Sequence, residues 1–274
     1  MKKNIQNPGS AIGEAIGAQM ELALNAFLSK LCAESGYHFL YSGEKISGKK
    51  KLLLYDSSCT EYNIDSVIAN ESVQPLILFE CKYIRYKNHN GAEVSWLCTA
   101  HPAVRRRYRS IRSSIAVLAG NWSSSSLAMI KSFDINVFLI PFERICTFLS
   151  GYGIDFGWGE KDRDMAETAW NRYTQLTDRE KYSIGEKMIS LIEKELAATI
   201  MAVLDNSAKR EIESVSVELH SNFGEVKRTD FASVREAIDF LNTEELSQVF
   251  ITTDSLTLFD TPRIEQDDDT SAVL

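Results

Sequence analysis

The most apolar run of the chain, residues 75–86 (PLILFECKYIRY), is interrupted by a Glu-x-Lys motif. Its length and apolar residues predict a buried β-strand. Because side chains alternate along a strand, Glu80 and Lys82 share one face, and Phe79 and Cys81 point to the other. Charged groups inside such a strand are costly unless they are paired or bind a metal. The motif is therefore either a buried ion pair or part of a functional site.

A second strand-like run, residues 62–69, precedes this segment and is expected to pair with it in a hairpin that turns at 72–73. Asp65 then lies directly opposite Glu80, within reach of a cross-strand contact. Two carboxylates and the ammonium of Lys82 converge on one patch. Glu-x-Lys alone is common and would indicate only an ion pair. An aspartate at the paired position, an acidic residue on the helix upstream and a helix with arginines downstream favour a functional site.

Apolar periodicity predicts further elements on both sides of the hairpin. Upstream lie a helix at 10–34, capped by Ser10 and ended by Gly36, and a strand at 51–55. Downstream the pattern predicts a helix at 102–119 that begins at Pro102, a helical segment after the serines 123–126, a strand at 135–141 and a short helix at 142–150. Helix, three strands, helix, strand, helix is the order of a mixed α/β layer domain.

The remainder of the chain follows different patterns. A loop rich in glycine and aromatic residues at 151–159 closes the α/β domain, and residues 164–205 have helical spacing. A period of two then predicts a small α/β appendage, with alternating Val215 and Val217, a turn at 222–224, a helix at 231–242 and a strand at 248–252. The acidic end of the chain is expected to be disordered.

Composition identifies which half of the chain can face an anion. The 274 residues have a net charge of −8, which argues against a nucleic-acid-binding protein. Residues 1–150, however, hold 17 Lys and Arg and 12 Asp and Glu, which leaves 13 and 26 of the totals of 30 and 38 for residues 151–274. The first half is therefore positive and the second strongly negative.

Several other classes are disfavoured. The N-terminal residues Met1-Lys2-Lys3-Asn4 are not followed by the apolar core of a signal peptide, and the longest apolar runs are too short to span a bilayer. Five widely spaced cysteines without a Cys-x-x-Cys pair indicate reduced thiols in a cytoplasmic protein. His-Glu-x-x-His and phosphate-loop motifs are absent from the sequence. A thiol hydrolase built on Cys81 and His101 remains open.

A stretch of forty residues, 94–133, contains no acidic residue. On a helix its arginines recur at spacings of four and three and form one basic face, which suits contacts with phosphates. The expected DNA-binding residues are Arg105, Arg106, Arg109 and Arg112. A solvated helix face is the alternative. Arg163, Arg172 and the loop 152–158 are weaker candidates for substrate contact.

Three short segments resemble the PD-(D/E)XK nuclease superfamily, which includes many type II restriction endonucleases. They are Ile64-Asp65 on one strand, Glu80-Cys81-Lys82 on the next, and residues 17–21 (GAQME) on the preceding helix. The resemblance covers roughly residues 10–150 and depends as much on element order as on the motifs. Ile64 replaces the proline of the family motif.

The resemblance implies an α/β fold, a restriction-endonuclease-like mixed sheet flanked by helices, with a helical extension and a small C-terminal α/β appendage. The expected domain boundaries are 1–160 for the catalytic core, 161–207 for the helical extension, 208–262 for the C-terminal module and 263–274 for the acidic tail.

The resemblance also implies a metal-dependent mechanism. Asp65 and Glu80 are expected to hold Mg²⁺, an ion that prefers oxygen ligands and retains waters, with the carbonyl of Cys81 as a further ligand. Lys82 is expected to have a lowered pKa and to orient or deprotonate the attacking water. Glu21 is preferred as the acidic residue of the first helix, with Glu14 as the alternative.

The sequence therefore predicts a Mg²⁺-dependent DNA endonuclease, of a type II restriction or related prokaryotic defence system, acting on double-stranded DNA. A homodimer is expected by analogy, because two symmetric half-sites call for two active sites. The alternative is a nuclease-like fold that binds DNA or a protein without cutting.

Overall fold

The computed structural model describes residues 7–42, 52–86, 90–243 and 245–251. Its helices are α1 (Pro8–Ser35), α2 (Asn90–Arg107), α3 (Ser124–Ser132), α4 (Phe142–Ser150), α5 (Arg163–Thr174), α6 (Asp178–Ser190), α7 (Glu193–Leu204) and α8 (Val234–Leu241). Its strands are β1 (His38–Tyr41), β2 (Leu53–Tyr55), β3 (Glu61–Asn63), β4 (Ser66–Ala69), β5 (Pro75–Ile84), β6 (Ser113–Gly120), β7 (Ile135–Pro141), β8 (Val215–His220) and β9 (Val226–Phe231). Among the described residues, no helix has the length and apolar character needed to cross a membrane.

A five-stranded mixed sheet with the order β1-β4-β5-β6-β7 organises the fold. The first three strands of this order are antiparallel, and β5, β6 and β7 are parallel. Parallel neighbours require crossover connections, which α2 and α3 provide. Helices α1 and α4 pack on one face and α2 and α3 on the other. The predicted α/β class, a mixed sheet flanked by helices, is confirmed.

The sequence interpretation of residues 102–119 as one helix is wrong. Helix α2 begins at Asn90, contains Pro102 in its interior and ends at Arg107. Every residue of β6 is buried, and β6 pairs with β5 on one side and β7 on the other. A strand buried on both faces has a continuous apolar sequence, so periodicity alone does not separate it from a buried helix.

Helix α1 packs its apolar residues into the main core between the sheet and helices α5 and α6. It starts earlier than expected, because the side chain of Asn7, and not of Ser10, accepts the capping hydrogen bond from the Ser10 N–H at 3.1 Å. It ends, as expected, at Gly36, which has a φ of 76°. Its close contact with Tyr83 requires small residues, since a Cβ at Gly17 would lie 3.2 Å from the Tyr83 Cβ.

The predicted hairpin register is confirmed, although the first strand is interrupted. Ser66 pairs with Phe79 and Ile68 pairs with Ile77, as a turn at 72–73 requires. Residues 61–63 belong instead to a separate two-stranded sheet of β2 and β3. Asp65 therefore lies in the break between β3 and β4.

Helices α5, α6 and α7 belong to the same compact unit as the sheet, which ends at Asn206. Gly185 of α6 approaches the backbone carbonyl of Gln19 so closely that a Cβ would clash with it. A larger residue at this position would therefore push α6 away from α1.

The second unit, Ser207–Leu274, contains the hairpin β8–β9, helix α8 and a short 3₁₀ helix. The Phe231 and Phe240 rings pack at a centroid distance of 5.1 Å. The strand predicted at 248–252 is wrong where it is described, because Leu246–Phe250 forms the 3₁₀ helix. The predicted tail, 263–274, lies outside the described residues.

Candidate active site

The candidate site lies where the pairing of β4 with β5 begins. Ser66, the first residue of β4, pairs with Phe79, and from that point β5 continues beside β6 to Ile84. Asp65 lies at this branch point, where β4 and β5 separate. Its side chain still binds β5, because Asp65 Oδ2 accepts a hydrogen bond from the Cys81 N–H at 2.9 Å. The carboxylate is thereby held against the edge of β5 just beyond the last ladder pair.

Three charged side chains meet at this branch point. The Lys82 Nζ lies 2.8 Å from Glu80 Oε1 and 3.6 Å from Asp65 Oδ2. The side chain of Glu80 is 1% exposed, that of Asp65 20% and that of Lys82 29%. The structure thus brings together the three residues that the sequence predicted to converge, and one side of the cluster remains open to solvent.

His101 of α2 closes the buried side of the cluster. Its Nε2 lies 3.7 Å from Glu80 Oε2, and both side chains are almost completely buried. Within the described part of the chain, neither His101 ring nitrogen nor Glu80 Oε2 has a hydrogen-bond partner. Sequence reasoning missed this neighbour because it started the helix at Pro102, which left His101 outside any element.

The pairing of Cys81 with His101 considered for a thiol hydrolase is excluded. The Cys81 side chain packs against the core on the α1 side of β5, whereas His101 contacts Glu80 on the opposite face. Burial also raises the pKa of the Cys81 thiol well above its usual range, so the thiol stays protonated near neutral pH. The role of the Cys81 carbonyl as a metal ligand stays a prediction.

The pKa values of the two carboxyl groups shift in opposite directions. Burial, and then the charge of Glu80, raise the pKa of Asp65 to about 6. Burial also acts to raise the pKa of Glu80, but the contacts with His101 and Lys82 outweigh it and hold the pKa below its ordinary value. Glu80 therefore carries the fixed negative charge of the cluster, and Asp65 ionises near neutral pH.

The expectation of a lowered pKa for Lys82 is wrong in the metal-free protein. Burial lowers the pKa of Lys82, but the charges of Glu80 and Asp65 outweigh burial and raise it above its ordinary value. Lys82 is therefore an ammonium group, which can donate hydrogen bonds and cannot take a proton from water.

Glu21 reaches the same site from α1. It is half-buried, and burial raises its pKa, with the charges of Lys82 and Glu80 acting as further influences. Glu21 and Cys81 both line the cavity on the α1 side of β5. Glu14, the alternative, lines this cavity as well but is exposed and lies two turns nearer the start of α1. The influence of the Lys82 and Glu80 charges on the pKa of Glu21 favours Glu21 as the helix acid.

The side chains of the site suit a cation that prefers oxygen ligands better than they suit zinc. No group of three or more His, Cys, Asp and Glu side chains in the described ranges has the arrangement of a metal site. Mg²⁺, however, is commonly bound through one or two carboxylates together with waters. Asp65 and Glu80 already share one cation, the Lys82 ammonium, and Glu80 Oε2 is a buried oxygen without a hydrogen-bond partner among the described residues. The donor set is thus compatible with Mg²⁺.

The predicted basic face does not exist as one helix surface. Arg105 lies near the end of α2 and donates to the Asp134 carbonyl at 3.3 Å, whereas Arg109 and Arg112 follow the helix. Arg112 Nη1 donates to the Val203 carbonyl at 3.0 Å, and its Nη2 donates to the Asn206 side chain at 2.6 Å. Arg112 therefore ties α7 to the sheet.

Two of the predicted DNA-binding arginines, Arg106 and Arg109, are exposed. Arg107, which was not selected, donates to the Asp56 carbonyl at 2.8 Å and so holds the turn between β2 and β3. The positive charge of this segment is divided between structural contacts and solvent.

Comparison with known proteins leaves the function open. No family model matches the chain, and no curated protein matches it. Among solved structures, the crystal structure of a protein of unknown function, AF1548, is similar at 12% sequence identity and a TM-score of 0.32. The similarity covers 65% of this chain and 99% of that chain. The functional argument therefore rests on the residues of the site.

Proposed function

We propose that this protein is a Mg²⁺-dependent endonuclease that hydrolyses phosphodiester bonds of double-stranded DNA. The observation that carries the proposal is the position of the Lys82 ammonium, 2.8 Å from Glu80 and 3.6 Å from Asp65, at the branch between β4 and β5. Two carboxylates and a lysine beside the open edge of a strand combine a cation site with a fixed positive charge. Phosphodiester hydrolysis requires both.

Asp65 and Glu80 would hold the ion, with the Cys81 carbonyl as a further ligand. When bound, Mg²⁺ would neutralise charge on the scissile phosphate and supply hydroxide near neutral pH. Lys82, whose ammonium lies beside both carboxylates, would donate hydrogen bonds to the attacking water or to a phosphate oxygen. Glu21 would support the site from α1 with a further negative charge, and His101 faces the buried oxygen of Glu80.

The DNA assignment also relies on exposed arginines outside the carboxylate cluster. Arg106 and Arg109 contact solvent and are free to approach phosphates without reading base sequence. We further propose that cleavage of a palindromic site involves a homodimer, because each half-site then receives one active site. Membership of a restriction or related defence system belongs to the same proposal.

Plasmid cleavage tests the proposal. Purified protein is incubated with supercoiled plasmid in Mg²⁺ or in EDTA, alongside Asp65→Ala and Lys82→Ala, with Lys131→Ala as an exposed control on α3. Nicking or linearisation should require Mg²⁺, disappear in the two site variants and persist in the control.

Two results would contradict the proposal. Cleavage that both site variants retain would remove Asp65 and Lys82 from the mechanism. Binding of DNA without cleavage of any plasmid, methylated or not, would identify a non-cleaving module with a nuclease-like fold.

A further inference from the structure

A cavity of about 910 Å³ lies beside the candidate active site, between β5 and the N-terminal half of α1. A Cβ at Gly17 would lie 3.2 Å from the Tyr83 Cβ, and a Cβ at Gly9 would lie 3.3 Å from the Trp158 ring, which covers Arg85. Helix α1 therefore runs in the direction opposite to β5. Glu21 and Cys81 therefore mark one end of the cavity, and the first turn of α1 and Arg85 mark the other. A volume of this size accommodates a nucleotide.

Arg85 is buried at the second end without a counter-ion. It is 7% exposed, and no carboxylate among the described residues lies within ion-pair distance of it. Its Nε donates to the Tyr86 hydroxyl at 2.9 Å, and its Nη2 donates to the carbonyls of Phe156 and Trp158 at 2.9 and 2.8 Å. Its Nη1 and the Tyr83 hydroxyl, which interacts with Arg85, are both buried and have no hydrogen-bond partner in the described ranges.

The surroundings of Arg85 favour an anion. Its guanidinium carbon lies 3.4 Å from the centroid of the Trp158 ring and 4.0 Å from that of Phe156, which offsets part of the cost of a buried charge. The first turn of the 28-residue helix α1 lines the same end and contributes the positive pole of its dipole. Arg163, at the start of α5, adds a second guanidinium to the wall.

We propose that this end of the cavity binds a phosphate group, between Arg85, Arg163 and the first turn of α1. A guanidinium offers paired donors that match phosphate oxygens. Cys81 and Arg85 are four residues apart on an extended segment, about 13 Å, so the bound phosphate is not the one at the carboxylate cluster. Its assignment to the nucleic-acid strand being cut rests on the proposed function, whereas the phosphate site itself does not.

Four glutamates line the cavity, Glu14, Glu21, Glu93 and Glu160, and their negative charge opposes a bound anion. Glu14 and Glu160 are the exposed members of this set. Because these side chains are negative, removing one of their charges should strengthen the binding of an anion. Removal of the Glu160 charge by Glu160→Gln should tighten phosphate binding about twofold to fivefold, whereas reversal of the Arg163 charge should weaken it.

Calorimetric titration in EDTA, which prevents metal-dependent cutting, tests the site with inorganic phosphate, thymidine 5′-monophosphate and a tetradeoxynucleotide at constant ionic strength. The test variant is the exposed Arg163→Glu, and the matched control is Arg179→Glu on the surface of α6. We expect Arg163→Glu to weaken binding of all three probes at least tenfold, and Arg179→Glu to change it less than twofold. Arg85→Lys, which keeps the charge and removes the paired donors, should also weaken binding.

Absence of saturable binding at millimolar phosphate, or equal effects of the two charge reversals, would overturn the site. If Arg163→Glu weakens only the mononucleotide and inorganic phosphate, the ligand is a free nucleotide and the assignment to a strand is wrong. The titration measures no cleavage, so its outcome does not depend on the plasmid assay. A protein that binds phosphate in the titration but cuts no plasmid would refute the nuclease proposal and leave this site intact.

Discussion

Strand β5 and the loop that follows it carry charge at two clusters, at residues 80–82 and around Arg85, and only the first is compensated by opposite charges. At residues 80–82, carboxylates and an ammonium face one another within 4 Å. At Arg85, a single guanidinium is surrounded by aromatic rings and backbone carbonyls, without a carboxylate among the described residues. The first arrangement offers carboxylates that can exchange one cation for another. The second has a fixed scaffold and an uncompensated charge, which favours an anion.

The largest expected effect is at the first cluster. Glu80→Gln keeps the shape of the side chain but removes the charge that holds a cation, so the rate of Mg²⁺-dependent plasmid cleavage should fall about 10³-fold. Initial rates at saturating Mg²⁺ measure it, with circular dichroism to verify folding. Glu34→Gln, on the exposed surface of α1, is the control and should leave the rate unchanged. A Glu80→Gln rate within tenfold of the unsubstituted protein would show that this carboxylate does not hold the metal.

At the second cluster, around Arg85, the expected effect is a loss of folding stability. Arg85→Met leaves the buried carbonyls of Phe156 and Trp158 without their donor, which should lower the free energy of unfolding by about 3 kcal/mol. Urea denaturation measures the change. Arg144→Met is the matched control, since Arg144 also lies over an aromatic ring, Phe148, but is exposed, and it should change stability by less than about 0.5 kcal/mol. Equal losses in both variants would mean that burial of Arg85 has no special consequence.

Asp65 should make the stability of the metal-free protein depend on pH. Its folded pKa of about 6 lies above the ordinary value of 3.8. Its stabilising contribution is therefore complete below pH 3.8 and is lost as pH rises through about 6. Asp65→Asn should raise stability above pH 7 by on the order of 2 kcal/mol and leave it unchanged near pH 3.5. Urea denaturation in EDTA at several pH values measures this difference, and parallel pH profiles for the two proteins would contradict it.

The smallest expected effect is on the affinity for DNA, through exposed arginines that belong to neither cluster. Arg106→Ala and Arg109→Ala should each weaken binding to random duplex DNA a few-fold and reduce the salt dependence by about one counterion. Arg112→Ala should leave the salt dependence unchanged and lower the free energy of unfolding, because Arg112 binds the Val203 carbonyl. Fluorescence anisotropy at several salt concentrations measures the slopes. A salt slope reduced most by Arg112→Ala would reverse the assignment.

Local patterns predicted the hairpin accurately. The apolar run of β5 and the short turn before it specify a register, because a slip by one residue would move every apolar side chain to the opposite face. The observed pairing of Ser66 with Phe79 follows, and with it the approach of Asp65 to the Cys81 amide. The break between β3 and β4 was not predicted, because residues 62–69 are apolar enough to form one strand.

The region from residue 90 to residue 120 was predicted poorly for a related reason. A central strand such as β6 is apolar on both faces, and its residues also satisfy helical spacing. Once the helix is moved to Asn90–Arg107, His101 reaches Glu80 and the arginines separate into different environments. The single basic face was a consequence of that wrong boundary.

The sequence by itself determined the β4–β5 hairpin and the convergence of Asp65, Glu80 and Lys82, because these depend on alternation along two neighbouring strands. It did not determine the whole sheet, since β1 was not predicted and β6 was predicted to be helical. Only the tertiary structure decided the direction of the pKa shift of Lys82, the contact of His101 with Glu80 and the aromatic surroundings of Arg85. The contact of His101 with Glu80 and the aromatic surroundings of Arg85 join groups far apart in the chain, and the pKa of Lys82 depends on how deeply the folded protein buries it. The balance between burial and opposing charge is set by distances that no local pattern encodes.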